Sequence, residues 1–146
     1  MQKKDTVKEL FEFACNLLKY RDRSVFEIKE KLREKKSAEK NIDKVVKKLI
    51  ELNYLNEQRF VENYVNKWIS KGKSLNFILY ELKEKYKVNN EIIDKLDIDN
   101  LKHKLNDIVE QIIKKKFGKN DREKIYKFLQ YKGFSEDEIE FILSKL

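Results

Sequence analysis

One short segment is written twice in this chain, and a fainter third copy lies near the end. Each copy places a residue type that caps helices eight positions before a leucine. The pairs are Ser24 and Leu32, Ser74 and Leu82, and Asp121 and Leu129. A segment that returns at intervals of about 50 residues is typical of a repeated supersecondary unit. Repeated helical units present long surfaces that suit the binding of polymers, so this feature constrains function as well as fold.

The composition favours helices throughout. Proline is absent, and glycine occurs only at positions 72, 118 and 133. A sheet protein of this length needs many more turn residues. Hydrophobic residues make up 40% of the chain and charged residues 41%, and the apolar positions recur at helical spacing. This combination indicates helices with strongly solvated outer faces and not a disordered chain.

The apolar stripes divide the chain into three similar parts. Long stripes cover residues 7–18, 60–69 and 101–113, each before one copy of the repeated segment, and a short apolar set follows each copy. The repeated unit is therefore a long helix followed by two short helices. We predict an all-α fold of three tandem three-helix repeats, residues 1–55, 56–97 and 98–146. The units would resemble helix-turn-helix modules and stack into an elongated, curved array.

Capping residues support this division. Thr6, Ser24, Asn120 and Ser135 each stand three residues before a glutamate, which is the capping-box spacing. Asn56 and Ser74 are further caps without the glutamate. Gly133 and Asn53 occupy places where a left-handed residue would end a helix. The polar stretch from Asp94 to Asn100 has no apolar periodicity, and we expect a flexible joint there.

The net charge of +8 indicates an anionic partner: a polyanion, or a protein already bound to one. The single cysteine, Cys15, excludes an intramolecular disulfide and favours a cytoplasmic protein. Cys15 lies in an apolar stripe, so we expect a buried structural thiol. No apolar run approaches the roughly 20 residues of a membrane span.

Catalysis is not expected. The sequence contains neither a glycine-rich phosphate loop nor a nucleophile elbow. The only histidine, His103, stands in a helical stretch among lysines, without a nearby cysteine or second histidine to share a metal. Asp94, Asp97 and Asp99 do not follow the calcium-loop pattern, and capping of a helix explains them better. We therefore predict no catalytic residue, no metal site and no cofactor.

Basic residues recur at the same joints of all three predicted units, which favours a binding surface over a merely solvated one. Lys40, Lys44 and Lys47 have i, i+4, i+7 spacing, so they form one stripe that faces away from the apolar positions of their helix. The candidates for contact with an anionic partner are Arg21, Arg23, Lys31, Arg33, Lys35, Lys36, Lys40, Lys44, Lys47, Lys67, Lys71, Lys73, Lys114, Lys115, Lys116 and Lys119.

Aromatic residues stand beside these basic joints, at Tyr20, Trp68 and Phe117. They could stack on the bases of a single strand. Their helical register with apolar neighbours favours packing in the core instead.

Three stretches together resemble the RecX family. The first is LKYRDRS at residues 18–24, followed by Glu27, Ile28 and Leu32. The second is LIELNYLNEQRF at residues 49–60, and the third is KGKS at residues 71–74. The resemblance covers nearly the whole chain. The family usually has glycine in place of Lys36 and Asn53 and near Tyr86, and aspartate in place of Glu57.

The resemblance implies a modulator of the RecA recombinase, built from three-helix repeats and without catalysis of its own. Members of the family lodge in the groove of the RecA–DNA filament and reduce ATP hydrolysis, strand exchange and co-protease activity, or they block filament growth. The expected partners are the RecA filament and, more weakly and electrostatically, single- and double-stranded DNA. We expect a monomer that binds no membrane.

Two alternatives remain compatible with the sequence. The chain could bind nucleic acid directly, without dependence on RecA, through units that act as helix-turn-helix modules. It could also be a helical scaffold for an acidic protein, with neither filament nor nucleic acid involved.

Overall fold

The computed structural model describes residues 6–146, and within that range it is all-helical. Nine helices follow one another in the order that the apolar stripes predict. Their bounds are α1 Val7–Tyr20, α2 Val25–Arg33, α3 Glu39–Glu51, α4 Glu57–Ser70, α5 Leu75–Glu84, α6 Asn90–Asp94, α7 Ile98–Lys116, α8 Arg122–Tyr131 and α9 Glu136–Ser144. The prediction of an all-α fold is confirmed.

Contacts group these helices into two compact units. The first unit runs to Asn63 and adds Leu82–Asp94, and the second comprises Tyr64–Glu81 and Lys95–Leu146. Helices α4 and α5 therefore contribute residues to both units. The three-part division at residues 55 and 97 follows the repeat of the sequence, and it stays a prediction.

The first unit is built on the packing of α1, α2 and α3. Among the described residues, nine buried apolar side chains form one cluster here: Leu10, Ala14, Ile28, Leu32, Ile42, Val45, Val46, Leu49 and Leu55. Burial of a large aliphatic side chain stabilises the fold by about 1.5–3 kcal/mol. The carboxylate of Glu57, at the start of α4, accepts hydrogen bonds from the N–H groups of Val25 (3.0 Å) and Asn89 (3.5 Å). It thereby ties the starts of α2 and α6 to α4.

The second unit contains the third copy of the repeated segment and the second copy up to Glu81. Leu82 of α5 and Leu129 of α8 are fully buried, as Leu32 is in the first copy. Helices α8 and α9 pack against each other, with Ile125, Ile139 and Leu143 buried. The leucine that ends each copy is thus a core residue, although Leu82 itself belongs to the first unit.

The helix ends follow local chemistry closely. Ser24 and Ser135 form the predicted capping boxes with Glu27 and Glu138. Asn53 (φ 59°) and Gly133 (φ 93°) adopt the predicted left-handed conformation. Lys36 (φ 57°) and Lys87 (φ 49°) also adopt it, at or next to the positions where the resemblance noted above implies glycine.

Two sequence-based expectations were wrong, concerning Asn120 and Tyr20. Helix α8 starts at Arg122, not after a cap at Asn120, because the Asp121 carboxylate accepts the Gly118 N–H (2.8 Å). The predicted capping role of the acidic cluster is confirmed at Asp97, which caps α7 at Ile98, and a flexible joint between Asp94 and Asn100 stays a prediction. Tyr20 is 86% exposed and does not pack in the core, because it ends α1 beyond the last buried turn.

Candidate nucleic-acid interface

Three helix ends in the second unit carry lysines that surround aromatic rings. The ammonium groups of Lys67, Lys71 and Lys73 lie 5.3, 5.0 and 5.8 Å from the ring centre of Trp68. Those of Lys116 and Lys132 lie 4.9 and 5.5 Å from the ring centre of Phe128. We call these five residues the lysine cluster. A cation over an aromatic face is stabilised by about 0.5–2 kcal/mol, depending on its exposure to water.

The lysines around Trp68 and the lysines around Phe128 are close enough to interact electrostatically. Burial lowers the pKa of Lys132, and the charges of Lys73, Lys116 and Lys71 lower the pKa further. Within residues 6–146, none of the five lysines forms a salt bridge with a carboxylate. Lysines from both parts of the second unit therefore concentrate positive charge that no neighbouring carboxylate neutralises.

Helix geometry explains why lysines are stable here. Lys67 lies in the last turn of α4, Lys116 ends α7, and Lys132 is the C-cap of α8. Each helix C-terminus carries a partial negative charge of about half an electron, which favours a cation. Five full positive charges exceed this compensation, so the site retains a positive field that attracts an anion.

Exposed aromatic residues stand next to these charges. Tyr131 is 78% exposed, and its ring centre lies 5.6 Å from the ammonium group of Lys73. The same ammonium lies 4.6 Å from the ring centre of Phe77. Lysines with exposed aromatic rings form the kind of surface that binds single-stranded nucleic acid, where the lysines contact phosphates and the rings stack on bases.

The structure separates the predicted basic residues into groups. Lys67, Lys71, Lys73 and Lys116 come together in the lysine cluster. Five others already have a carboxylate partner: Arg21 and Arg23 with Glu27, Lys31 with Glu34, Arg33 with Glu30 and Glu39, and Lys114 with Glu110. Lys40, Lys44 and Lys47 are exposed along α3, and Lys36, Lys115 and Lys119 are also exposed. The Lys35 ammonium lies 4.4 Å from the ring centre of Phe13.

The carboxylate partners change the chemistry of the arginines near α2. The hydrogen bonds that Arg21 donates to the Glu27 carboxylate raise the pKa of Arg21, whereas burial lowers the pKa of Arg23. Arg33 lowers the pKa of Glu39 by hydrogen bonding to it. Such pairs leave little free charge on these arginines for a partner.

Sequence reasoning missed Lys132 and Tyr131. Both lie in the chain far from Lys73, and no local pattern connects them. The sequence did contain a signal for Lys132. It is a basic residue just before Gly133, at a helix joint of the third repeat, like the other candidates.

Nothing in the described part of the chain suggests metal chemistry. His103 is exposed on α7, and no group of three His, Cys, Asp or Glu side chains in residues 6–146 could hold a metal ion. Across the same residues, every helix is too short or too polar to cross a membrane.

Comparison with known proteins identifies the family. A family model described as the first three-helix domain of RecX matches residues 11–49. The regulatory protein RecX of Haemophilus influenzae (strain PittEE) is 30% identical over 135 residues, covering 88% of each chain. This chain belongs to the RecX family. RecX of Chlorobium phaeobacteroides (strain BS1) is 33% identical and covers 95% of this chain and 94% of its own.

The fold agrees with that of a solved RecX protein. The crystal structure of RecX from Lactobacillus salivarius superposes with a TM-score of 0.72 and 28% sequence identity, covering 96% of each chain. This chain is therefore a helical regulatory protein of the RecX family.

Proposed function

We propose that this chain binds the filament that RecA forms on DNA and lowers its ATP hydrolysis, strand exchange and co-protease activity. It acts by binding alone, as a cytoplasmic monomer without a cofactor. Membership of the RecX family supports the regulatory role, and the family resemblance supplies RecA as the partner. The observation that carries the proposal is the lysine cluster, whose five ammonium groups have no carboxylate partner within the described chain.

The lysine cluster would act on the nucleic acid inside the filament. Phosphate contacts hold a protein in place on DNA and do not depend on base sequence. A regulator that must act anywhere along a filament needs this kind of contact. The overall charge of +8 would also speed association with a polyanion and oppose self-association.

The test is RecA ATP hydrolysis on single-stranded DNA, titrated with this protein from far below one copy per RecA. Binding to the same DNA without RecA is measured in parallel. We expect hydrolysis to fall at concentrations that leave bare DNA unbound. Inhibition that begins only where the protein coats the DNA would contradict the filament mechanism.

A second candidate function is direct binding of nucleic acid without RecA. The exposed ring of Tyr131 beside the ammonium of Lys73 favours it, because such a pair can stack on a base and bind its phosphate. This candidate predicts equal affinity for DNA with and without RecA. The parallel measurement above distinguishes the two functions.

A further inference from the structure

An apolar cleft of about 500 Å³ lies in the first unit, apart from the lysine cluster. Phe11, Cys15 and Leu18 form one wall as successive turns of α1. Tyr54, in the turn after α3, forms part of the opposite wall together with Asn53 and Arg59. The rings of Phe11 and Tyr54 are 6.4 Å apart, centre to centre. A cleft with this lining accepts an apolar side chain.

The cleft wall is held rigidly before any partner arrives. The Arg59 guanidinium forms a salt bridge with Asp22 at 2.9 Å and donates to the carbonyl oxygens of Asn53 and Tyr54 at 3.3 Å. The Asn56 side chain donates to that of Asn53 at 2.8 Å. Since the walls are ordered in advance, a partner loses less entropy on binding.

Cations stand at the edge of the cleft. Lys19 is one of the lining residues, and the Lys48 ammonium lies 4.8 Å from the ring centre of Phe11. Cys15 is partly buried, not fully buried as the sequence suggested, and this burial is the main cause that raises its pKa. Lys19 and Lys48 lower the pKa of this thiol and Glu12 raises it, so two cations and one carboxylate act on Cys15.

Exposed apolar side chains continue along the chain next to the cleft. Tyr54 and Ile50 are both 50% exposed, and Leu52 is 46% exposed. Three large hydrophobic residues that remain exposed within five positions of the chain mark an interaction surface.

We propose that this cleft binds a protein segment of RecA that carries an apolar anchor side chain beside a carboxylate. The anchor enters between Phe11 and Tyr54, and the carboxylate meets Lys19 and Lys48. Nucleic acid suits the cleft poorly, because apolar side chains line much of it and the Arg59 guanidinium is already paired with Asp22. A second copy of this chain is also disfavoured, because each copy carries a net charge of +8. The inference rests on the proposed function, which supplies RecA as the partner.

The chain provides its own probe, because Cys15 is its single cysteine and lines the cleft. Binding of the wild-type protein to RecA filaments on single-stranded DNA is measured first, with a non-hydrolysable ATP analogue. The rate of Cys15 alkylation by N-ethylmaleimide is then followed by mass spectrometry for the free protein, for the protein on DNA alone, and for the filament complex. We expect alkylation to slow at least tenfold in the filament complex only.

Substitution of Tyr54 gives an independent measurement. Tyr54→Ala should weaken filament binding about tenfold, since aromatic anchors dominate interface energies. Tyr54→Phe should bind normally because it keeps the ring. Tyr80→Ala is the matched control, since Tyr80 is 64% exposed on α5 and distant in the chain from the cleft residues.

The outcomes separate this inference from the proposed function. If the wild-type protein does not bind filaments, both fail. If it binds while Cys15 reacts as fast as in the free protein, or while Tyr54→Ala binds normally, only the cleft assignment fails. Equal protection of Cys15 by DNA alone would assign the cleft to nucleic acid and overturn the inference.

Discussion

The backbone N–H of Ser74 donates a hydrogen bond to the carbonyl oxygen of Lys132 over 2.9 Å. This bond joins the residue before α5 to the C-cap of α8, within the second unit. Ser74 is fully buried, and its hydroxyl accepts the N–H of Phe77. Because Lys73 directly precedes Ser74, the bond brings Lys73 and Lys132 to the same place. The lysine cluster therefore depends on how two helix ends meet.

Gly133 is required for this contact between the start of α5 and the end of α8. It has φ 93°, and a Cβ at this position would lie 2.9 Å from the Ser74 hydroxyl oxygen and 3.3 Å from the Phe77 Cβ. We expect Gly133→Ala to lower the free energy of unfolding by about 2 kcal/mol, measured by urea denaturation. Gly118→Ala is the control, since the nearest atom would be at an ordinary 3.6 Å. Equal losses in both variants would contradict the role of Gly133.

Lys36 is in a conformation that suits glycine, with φ 57° after α2. Glycine at this position would remove the strain of the left-handed conformation. This gain in free energy slightly exceeds the loss caused by the greater backbone entropy of glycine in the unfolded chain. Lys36→Gly should therefore raise the free energy of unfolding by about 0.5 kcal/mol. Lys44→Gly, in the middle of α3, should lower it by about 1 kcal/mol. A loss of stability in both variants would show that the turn does not strain Lys36.

Replacement of lysines in the cluster should change how DNA binding depends on salt. Each phosphate contact that is lost lowers the slope of log affinity against log salt concentration by about 0.7 for single strands. The Lys71→Gln, Lys73→Gln and Lys132→Gln triple variant should therefore lower the slope by roughly 2. The Lys83→Gln, Lys102→Gln and Lys104→Gln variant changes the net charge equally and should keep the slope. Equal reduction in both variants would mean that only overall charge matters.

The exposed stripe on α3 is a second candidate for phosphate contact. Lys40, Lys44 and Lys47 are exposed and have no carboxylate partner within the described chain. If they contact phosphates in the filament, their joint replacement by glutamine should lower the salt slope by roughly 0.7–0.9 per contact. Fluorescence anisotropy of labelled DNA in RecA filaments measures the slope. An unchanged slope and affinity would remove this stripe from the interface.

The lowered pKa of Lys132 has a consequence for stability at alkaline pH. Burial and then the nearby lysines make the folded state hold this proton less tightly than the unfolded state. The unfolded state therefore binds more protons between the lowered pKa and the ordinary lysine pKa. The free energy of unfolding should rise with pH across that window, relative to the Lys132→Gln variant. Urea denaturation of both proteins at several alkaline pH values measures the difference, and parallel pH profiles would contradict it.

The helices and their ends could be predicted because they depend on neighbouring residues. The serine of each capping box and its glutamate are three positions apart, so Ser24 with Glu27 and Ser135 with Glu138 are legible in the sequence. The prediction failed at Asn120, where Asp121 satisfies the Gly118 N–H instead of capping the helix. Asn120 and Asp121 are both residue types that cap helices, and their spacing from the glutamate does not show which of them stands at the N-cap.

The candidate surfaces were predicted only in part. Lys67, Lys71 and Lys73 are close in sequence, and their position beside Trp68 follows from that. Arg21 and Arg33 were equally good candidates by sequence, but the fold pairs them with Glu27 and with Glu30 and Glu39. Whether a cation is free depends on which carboxylates surround it in space, and charge counting along the chain does not contain that information.

The sequence by itself determined the helices, the repeat of the buried leucines and the family. These properties follow from local periodicity, capping chemistry and composition. The tertiary structure alone decided that Lys132 joins Lys73, that Tyr131 stands beside them, and that Phe11 and Tyr54 line one cleft. The physical reason is that contacts between distant segments depend on how helix ends pack, and small determinants such as Gly133 and the Ser74 hydrogen bond set that packing.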